Sequence, residues 1–162
     1  MTACSPSPRL ASTSSVVGAH ALAAYGVVRA TGDLDVLARP TADNAERVLA
    51  GLRAFGAPVA AHGVTRDDLT RPGTVYQLGL PPRRIDILTS LTGIDFDTAA
   101  RDAPRTTVGD LVFRVPSKPA LIANKRATGR PKDLEDIRRL EHAGEHPPAT
   151  PRRPGRPPGR AP

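Results

Sequence analysis

The order of strand-like and helix-like segments restricts the fold of this chain more than any other feature. Short apolar segments rich in β-branched residues recur along it, separated by Gly, Pro or amphipathic stretches. These segments are SSVVG, LDVLA, TVYQLGL, RRIDILTS and TTVGDLVFRV, the last with a Gly-Asp turn typical of a hairpin. The order predicts an α/β (α+β) fold, in which a mixed sheet is flanked by helices and two helices end the domain.

The helical segments carry their own start and stop signals. Thr41 is a candidate N-cap, Gly129 a stop, and Pro131 fits the first position of a helix. The stretch 57–72 has no clear periodicity and is expected to be mostly loop. The predicted helices are 19–26, 41–56, 118–128 and 131–142, with a helical turn in IDFDTAARD.

The two ends of the chain differ in composition from the middle. Residues 1–13 are rich in Ser, Pro and Thr, and seven of the 18 prolines fall between 147 and 162. Neither end has the apolar pattern needed to offset the entropy of ordering it. We therefore expect one folded domain at 14–144, a disordered segment at 1–13 and a disordered Pro/Arg-rich tail at 145–162.

The net charge of +7 owes four charges to arginines of that tail. A basic tail of this kind can add attraction to RNA or DNA phosphates. A solvated tail that binds no partner would have the same composition, so both interpretations remain open.

The single cysteine, Cys4, excludes a disulfide within one chain. No signal peptide or membrane-spanning stretch is apparent, so the sequence predicts a cytoplasmic protein with no membrane partner.

Two aspartates, Asp33 and Asp35, open the second predicted strand. Residues two apart in a strand point to the same face, so these carboxylates repel each other. A divalent cation removes the repulsion, and carboxylate oxygens are the ligands that Mg²⁺ and Mn²⁺ prefer. A solvated loop with two aspartates is the alternative, and the spacing alone does not exclude it.

A third aspartate, Asp86, lies between two isoleucines that are expected to face the core. A buried carboxylate is rarely left unpaired. In one interpretation Asp86 accepts a salt bridge, most simply from Arg83 or Arg84. In the other it binds a cation together with Asp33 and Asp35.

A second Asp-x-Asp, Asp95 and Asp97, has the same spacing. It leads into the predicted helical turn, where residues two apart diverge by about 200° and cannot share one ion. We therefore place this pair outside the site.

Gly18 ends the first predicted strand and begins a helix. Backbone N–H groups at such a junction can hold a phosphate, although the junction alone is nonspecific. Because Asp33 and Asp35 follow shortly afterwards, the order of elements permits a nucleoside triphosphate with its phosphates at Gly18 and its Mg²⁺ at the carboxylates.

The run VVGAHALAAYGVVRATGDLDVLA resembles the first motif of the DNA polymerase beta-like nucleotidyltransferase superfamily, a Gly-based turn followed by an Asp-x-Asp. The version it resembles is that of bacterial AbiEii-type and related toxin–antitoxin nucleotidyltransferases. The resemblance spans about residues 15–142. It continues in NAERVLAGLRAFGAP, PPRRIDILTSLTGIDF and KPALIANKRATGRPKDLEDIRRL.

The resemblance implies a metal-dependent enzyme that moves a nucleoside monophosphate from an NTP to a hydroxyl of an RNA end or a protein. Asp33 and Asp35 would bind two Mg²⁺ or Mn²⁺ ions. Asp86 would bind one of them and help to activate the acceptor hydroxyl, while Gly18 and Ala19 would approach the phosphates. The implied partners are the NTP, an RNA acceptor and a cognate antitoxin protein.

Four further residues receive roles from the same resemblance. Lys125 would neutralise phosphate charge, and Asp133 would orient it or bind the acceptor. For both, an exposed salt bridge between adjacent helices is the alternative. Arg29 and Thr31 would brace the turn before Asp33 or contact phosphate, and bracing is the favoured interpretation.

The chain departs from the family pattern in two places. It has Gly18-Ala19 where many members have Gly-Gly or Gly-Ser, and MTACSPSPRLAST replaces the helix and strand that usually precede the first motif. The altered N-terminus favours a second hypothesis, a non-catalytic relative that binds nucleotide or protein, whereas the intact carboxylates favour the enzyme. A nucleotide-sugar transferase is a third interpretation, but it leaves the region of Lys125 unexplained.

Overall fold

The computed structural model describes residues 14–144 except 81 and 109. The predicted disordered segments, 1–13 and 145–162, lie outside the described residues. Within the described part the strands are β1 Ser14–Val17, β2 Asp33–Ala38, β3 Val75–Leu80, β4 Arg83–Leu88, β5 Arg105–Val108 and β6 Leu111–Arg114. The helices are α1 Gly18–Ala24, α2 Ala42–Ala54, α3 Arg66–Thr70, α4 Phe96–Ala100, α5 Lys118–Thr128 and α6 Pro131–His142.

Four strands form one mixed sheet in the order β1-β2-β4-β3. β1 runs antiparallel to β2, β2 parallel to β4, and β4 antiparallel to β3. The predicted hairpin is present as a separate two-stranded sheet, β5 and β6. The predicted α/β (α+β) fold class is confirmed, and its parallel pair brings together the two strands that carry Asp33, Asp35 and Asp86.

The two faces of the mixed sheet pack against different helices. On one face Ile87 packs in a cluster with residues of α2 and α3. On the other face Leu37 packs with Phe96 of α4, and a third cluster joins α1 to α5 and α6. Because side chains alternate along β2, Asp33 and Asp35 point to the same side as Leu37. They stand beyond the edge of that apolar cluster, where β2 begins.

The sequence misses one element, the short helix α3 within the stretch expected to be mostly loop. Thr65 and Asp68 form a capping box at its start: the Asp68 amide donates to Thr65 Oγ1 at 3.3 Å, and the Thr65 amide donates to Asp68 Oδ2 at 2.9 Å. Thr41 occupies the N-cap position of α2, but its side chain makes no capping hydrogen bond. The bounds predicted for α5 and α6 are confirmed.

Candidate active site

One cleft of about 610 Å³ contains most of the residues that the sequence singles out. It lies where β2 and β4 begin and β1 ends. Asp133 does not line this cleft, because its side chain has no exposed surface. The predicted residues that do line it are Gly18, Ala19, Arg29, Thr31, Asp33, Asp35, Asp86 and Lys125.

The parallel register of β2 and β4 groups the three aspartates. Asp35 is the register partner of Asp86, and Asp33 is that of Arg84. Side chains at paired positions of neighbouring strands stand on the same face of a sheet. The three carboxylates therefore share one side of the cleft, with Asp86 buried to 6% exposure and the other two partly exposed.

Arg84 pairs with two of these carboxylates. Its Nη2 donates to Asp33 Oδ2 at 2.9 Å and to Asp86 Oδ2 at 3.2 Å, and its Nε lies 2.9 Å from Asp86 Oδ1. Gln77 Nε2 on β3 also donates to Asp86 Oδ2, at 3.3 Å. Of the two salt-bridge partners that the sequence offers Asp86, Arg84 makes the bridge, whereas Arg83 is exposed.

Asp35 differs from its two neighbours because it forms no ion pair with any residue that the structure describes. Burial, and then the negative charges of Asp86 and Asp33, raises the pKa of Asp35. Arg84 and the exposed His20 act in the opposite direction without cancelling the effect. A cation beside Asp35 would relieve this repulsion.

The donor atoms of the cleft suit a hard divalent cation. Asp86 Oδ1 is buried and makes no hydrogen bond, despite its ion-pair distance to Arg84 Nε. Together with the unpaired carboxylate of Asp35 it offers the oxygen ligands that Mg²⁺ and Mn²⁺ prefer. In the described residues, no three acidic, His or Cys side chains converge closely enough to hold an ion as they stand. Binding therefore requires Asp86 Oδ1 to exchange its contact with Arg84 Nε for one with the ion.

Gly18 lies directly against Asp35. Its φ of +63° is in the left-handed region, and a Cβ added there would overlap the Asp35 carboxylate. Ala19, the next residue, is buried in α1. The glycine thus allows the start of α1 to approach the carboxylates closely.

We expect Gly18→Ala to lower the free energy of unfolding by about 1–3 kcal/mol and to weaken Mn²⁺ binding, because the added methyl strains the backbone and displaces Asp35. Urea unfolding and Mn²⁺ titration measure the two effects. Gly26→Ala is the matched control, since Gly26 has a φ of +82° but open space where its Cβ would lie. Equal losses of Mn²⁺ affinity in the two variants would contradict the role of the Asp35 contact.

The part of the cleft contributed by α5, α6 and the loop before β2 is basic. Two aspartates of α6 form salt bridges with the basic side chains of this part of the cleft. Lys125 Nζ lies 2.9 Å from Asp133 Oδ1 and 2.7 Å from Asp136 Oδ2, and Arg130 Nε lies 2.7 Å from Asp133 Oδ2. The basic residues of this lining are Arg29, Lys125, Arg130 and Lys132.

These contacts bear on the two interpretations of Lys125 and Asp133. Lys125 and Asp133 do form a salt bridge between adjacent helices. It is buried rather than exposed, because Lys125 is 7% exposed and Asp133 0%. Asp133 orients Lys125 and Arg130 and has no surface from which to touch an acceptor. Arg29 and Arg130 keep 30% and 55% of their side chains exposed, so they retain surface available to a ligand.

Arg29 and Thr31 hold the loop that leads into β2. Arg29 Nη1 donates to Asp136 Oδ2 at 2.7 Å, which fastens the loop to α6. Thr31 Oγ1 accepts a hydrogen bond from the Asp33 amide at 3.2 Å. Both residues therefore brace the approach to the carboxylates, and both also line the cleft.

Because Asp133 is buried and ionised, we expect the free energy of unfolding to fall as the pH is lowered into the acidic range. Burial disfavours its ionised form, but hydrogen bonds from Arg130 and Lys125 outweigh burial and lower the pKa of Asp133 to about 2. Since the folded pKa lies below the unfolded value of 3.8, ionised Asp133 stabilises the fold above about pH 4, and this contribution is lost as the pH falls toward 2. Unfolding measured between about pH 5 and pH 2 should show this slope, and Asp133→Asn should flatten it. An undiminished slope in the variant would contradict the assignment.

The second Asp-x-Asp lies apart from the cleft. Asp95 caps α4, where the Thr98 amide donates to Asp95 Oδ1 at 2.7 Å. Asp97 pairs instead with Arg39, at 2.7 Å. The two carboxylates therefore have separate local partners.

Sequence reasoning assigned no role to Arg130, Lys132 or Asp136. The spacing of Asp133 and Asp136, three residues apart and so on one face of a helix, was the available signal. It indicates a pair of acidic groups facing a common partner, but it does not identify Lys125 as that partner.

The sequence matches no protein-family model and no curated protein. In the part of the chain that the structure describes, no helix is both long enough and apolar enough to cross a membrane.

Proposed function

We propose that this protein is a metal-dependent nucleotidyltransferase that moves a nucleoside monophosphate from an NTP to a hydroxyl acceptor. The observation that carries the proposal is that a single cleft is lined by both carboxylates and basic side chains. Three carboxylates and Arg84 come from β2 and β4, and four further basic side chains come from the loop before β2, the α5–α6 junction and the two helices. A metal–triphosphate complex has the matching distribution of charge, with a cation bound to a chain of anionic phosphates.

The cleft offers each group a distinct role in this reaction. Asp35 and Asp86, with Asp33, would hold Mg²⁺ or Mn²⁺, which when bound neutralises charge on the phosphates. Arg29, Arg130 and Lys132 would bind the triphosphate through their exposed groups. Lys125 would act mainly by holding Asp133 and Asp136, because both of its close contacts are to those carboxylates.

The bond changes define what the site must accomplish. The acceptor oxygen forms a bond to the α-phosphorus, the bond from that phosphorus to the bridging oxygen of the β-phosphate breaks, and pyrophosphate leaves. The hydroxyl proton needs a base near the acceptor. Asp35 would accept it on the carboxylate oxygen that does not contact the ion, since Asp33 and Asp86 are already paired with Arg84.

The acceptor we propose is an RNA end or a protein hydroxyl, and a cognate antitoxin is the proposed protein partner. Both come from the resemblance to toxin–antitoxin nucleotidyltransferases. The Pro/Arg-rich tail would add salt-sensitive attraction to an RNA acceptor.

A second candidate function is a non-catalytic nucleotide-binding protein. The observation that favours it is Arg84, which occupies two of the three carboxylates. Such a protein would keep the basic part of the cleft and bind triphosphate without transferring it.

Incubation of the purified protein with each α-³²P-labelled NTP, total bacterial RNA and Mg²⁺ or Mn²⁺ tests the proposal. We expect label on RNA or on the protein itself, and none when EDTA replaces the metal. Saturable binding of Mg-ATP without transfer would favour the non-catalytic protein. Neither transfer nor nucleotide binding would contradict both candidates.

A further inference from the structure

We propose that Arg84 takes the place of one divalent cation, so that this site binds a single metal ion rather than a pair. The inference rests on the proposed function and specifies its metal requirement. It starts from the position of the guanidinium, which bridges Asp33 and Asp86 with three contacts between 2.9 and 3.2 Å. A positive charge held between two carboxylates offsets their mutual repulsion, which is also what a divalent cation at that position would do.

The net charge of the three carboxylates and Arg84 also supports a single bound ion. Asp33, Asp35 and Asp86 carry three negative charges when ionised, and Arg84 neutralises one of them. Two negative charges remain, which one divalent cation balances. The oxygens left for that ion are those of Asp35, which has no ion-pair partner in the described part of the chain, and Asp86 Oδ1, which makes no hydrogen bond.

The position of Arg84 on β4 fixes its side chain in the site. Its backbone is anchored where β4 begins, because the Arg84 amide donates to the Gly32 carbonyl at 3.2 Å. The register sets Arg84 beside Asp33, and the period of two along β4 turns it to the same face as Asp86. Its side chain is 27% exposed, so most of the guanidinium and its stem lie within the protein. A flexible surface arginine would have none of these restraints.

Counting bound Mn²⁺ by electron paramagnetic resonance and calorimetry tests the inference. Cleft ions are defined as those absent from the double variant Asp35→Asn/Asp86→Asn. We expect one cleft ion in the wild-type chain and a second one in Arg84→Gln, or an affinity for the first that rises by at least about tenfold as a competing positive charge is removed. Arg83→Gln is the matched control: it removes the same charge one residue away, from an exposed side chain, and should leave one ion with unchanged affinity.

Arg84→Lys adds a second test, because it keeps the charge and should keep one ion even if Arg84→Gln is less stable. Two cleft ions in the wild-type chain would overturn the inference and leave the proposed function standing. An Arg84→Gln variant that still folds, as judged by circular dichroism, and binds one ion as the wild type does would also overturn it. If no cleft ion binds to the wild-type chain at millimolar Mn²⁺, the proposed metal dependence itself fails.

Discussion

Lys125→Met is expected to lower the free energy of unfolding by about 3–5 kcal/mol, the largest effect on stability that we predict. The variant leaves Asp133 and Asp136 buried without their shared cation, which contacts them at 2.9 and 2.7 Å. Removing one member of a buried pair is costly because the remaining charges cannot reach water, and Arg130 and Arg29, which stay paired with Asp133 and Asp136, compensate only part of the loss. Urea unfolding followed by circular dichroism measures the change.

Arg126→Met provides the control for this variant. Arg126 is the next residue along α5, and its salt bridge to Glu141 is exposed, at 3.2 Å. Exposed pairs contribute about 0–1 kcal/mol, so this variant should unfold nearly as the wild type does. If Lys125→Met were equally stable, the ammonium group would not be needed by α6, and a direct role on phosphate would become the better interpretation.

Asp35→Asn is expected to reduce metal-dependent transfer by at least about 100-fold while leaving the fold as stable as the wild type, or more stable. The variant removes the one unpaired carboxylate of the cleft and, with it, repulsion from Asp33 and Asp86. Asp86→Asn should also abolish transfer, but at a cost in stability, because it weakens the buried pair with Arg84. Initial rates with labelled NTP, measured beside thermal unfolding, separate the two effects.

Asp97→Asn is the matched control, since it makes the same change in the other Asp-x-Asp. Its carboxylate is exposed and pairs with Arg39 outside the cleft, so transfer should be unaffected. An inactive Asp97→Asn beside an active Asp35→Asn would move the site to the other pair. Parallel losses of activity and folding in Asp35→Asn would instead identify a structural aspartate.

The elements that the sequence predicts well are those with local signals at their ends. α5 and α6 are separated by Gly129, which takes a φ of +67°, and Pro131 sits in the first turn of α6. The helix α3 was missed because its five residues are too few to show helical periodicity. The division of the strands into two sheets was not predicted either, since strand pairing is a contact between distant segments.

The same distinction between local and distant contacts applies to the candidate site. The alternation of β2 is local, so sequence reasoning could place Asp33 and Asp35 on one face. That Asp86 stands beside Asp35 depends on the parallel pairing of β2 with β4, which no local pattern specifies. The sequence named Arg84 as a partner of Asp86, but its second contact, to Asp33, follows from the same register.

The network around Lys125 was the least predictable part of the cleft. Its members come from the loop before β2, from α5 and from α6, so their contacts span as many as 107 positions of the chain. The sequence shows that Lys125 and Asp133 are close along the chain, which is compatible with both a ligand site and a salt bridge. Only the packing of α6 against α5 buries the pair and gives Lys125 a structural role.

Anomalous diffraction at the manganese edge, from crystals grown with Mn²⁺ and a non-hydrolysable NTP analogue, tests the central claim most directly. That claim is that the carboxylates hold a metal and the basic part of the cleft holds the phosphates. We predict a manganese peak at about 2.0–2.2 Å from oxygens of Asp35 and Asp86, with the triphosphate beside Arg29 and Arg130. A crystal structure with no manganese in the cleft, or with the triphosphate bound away from the basic residues, would contradict this claim.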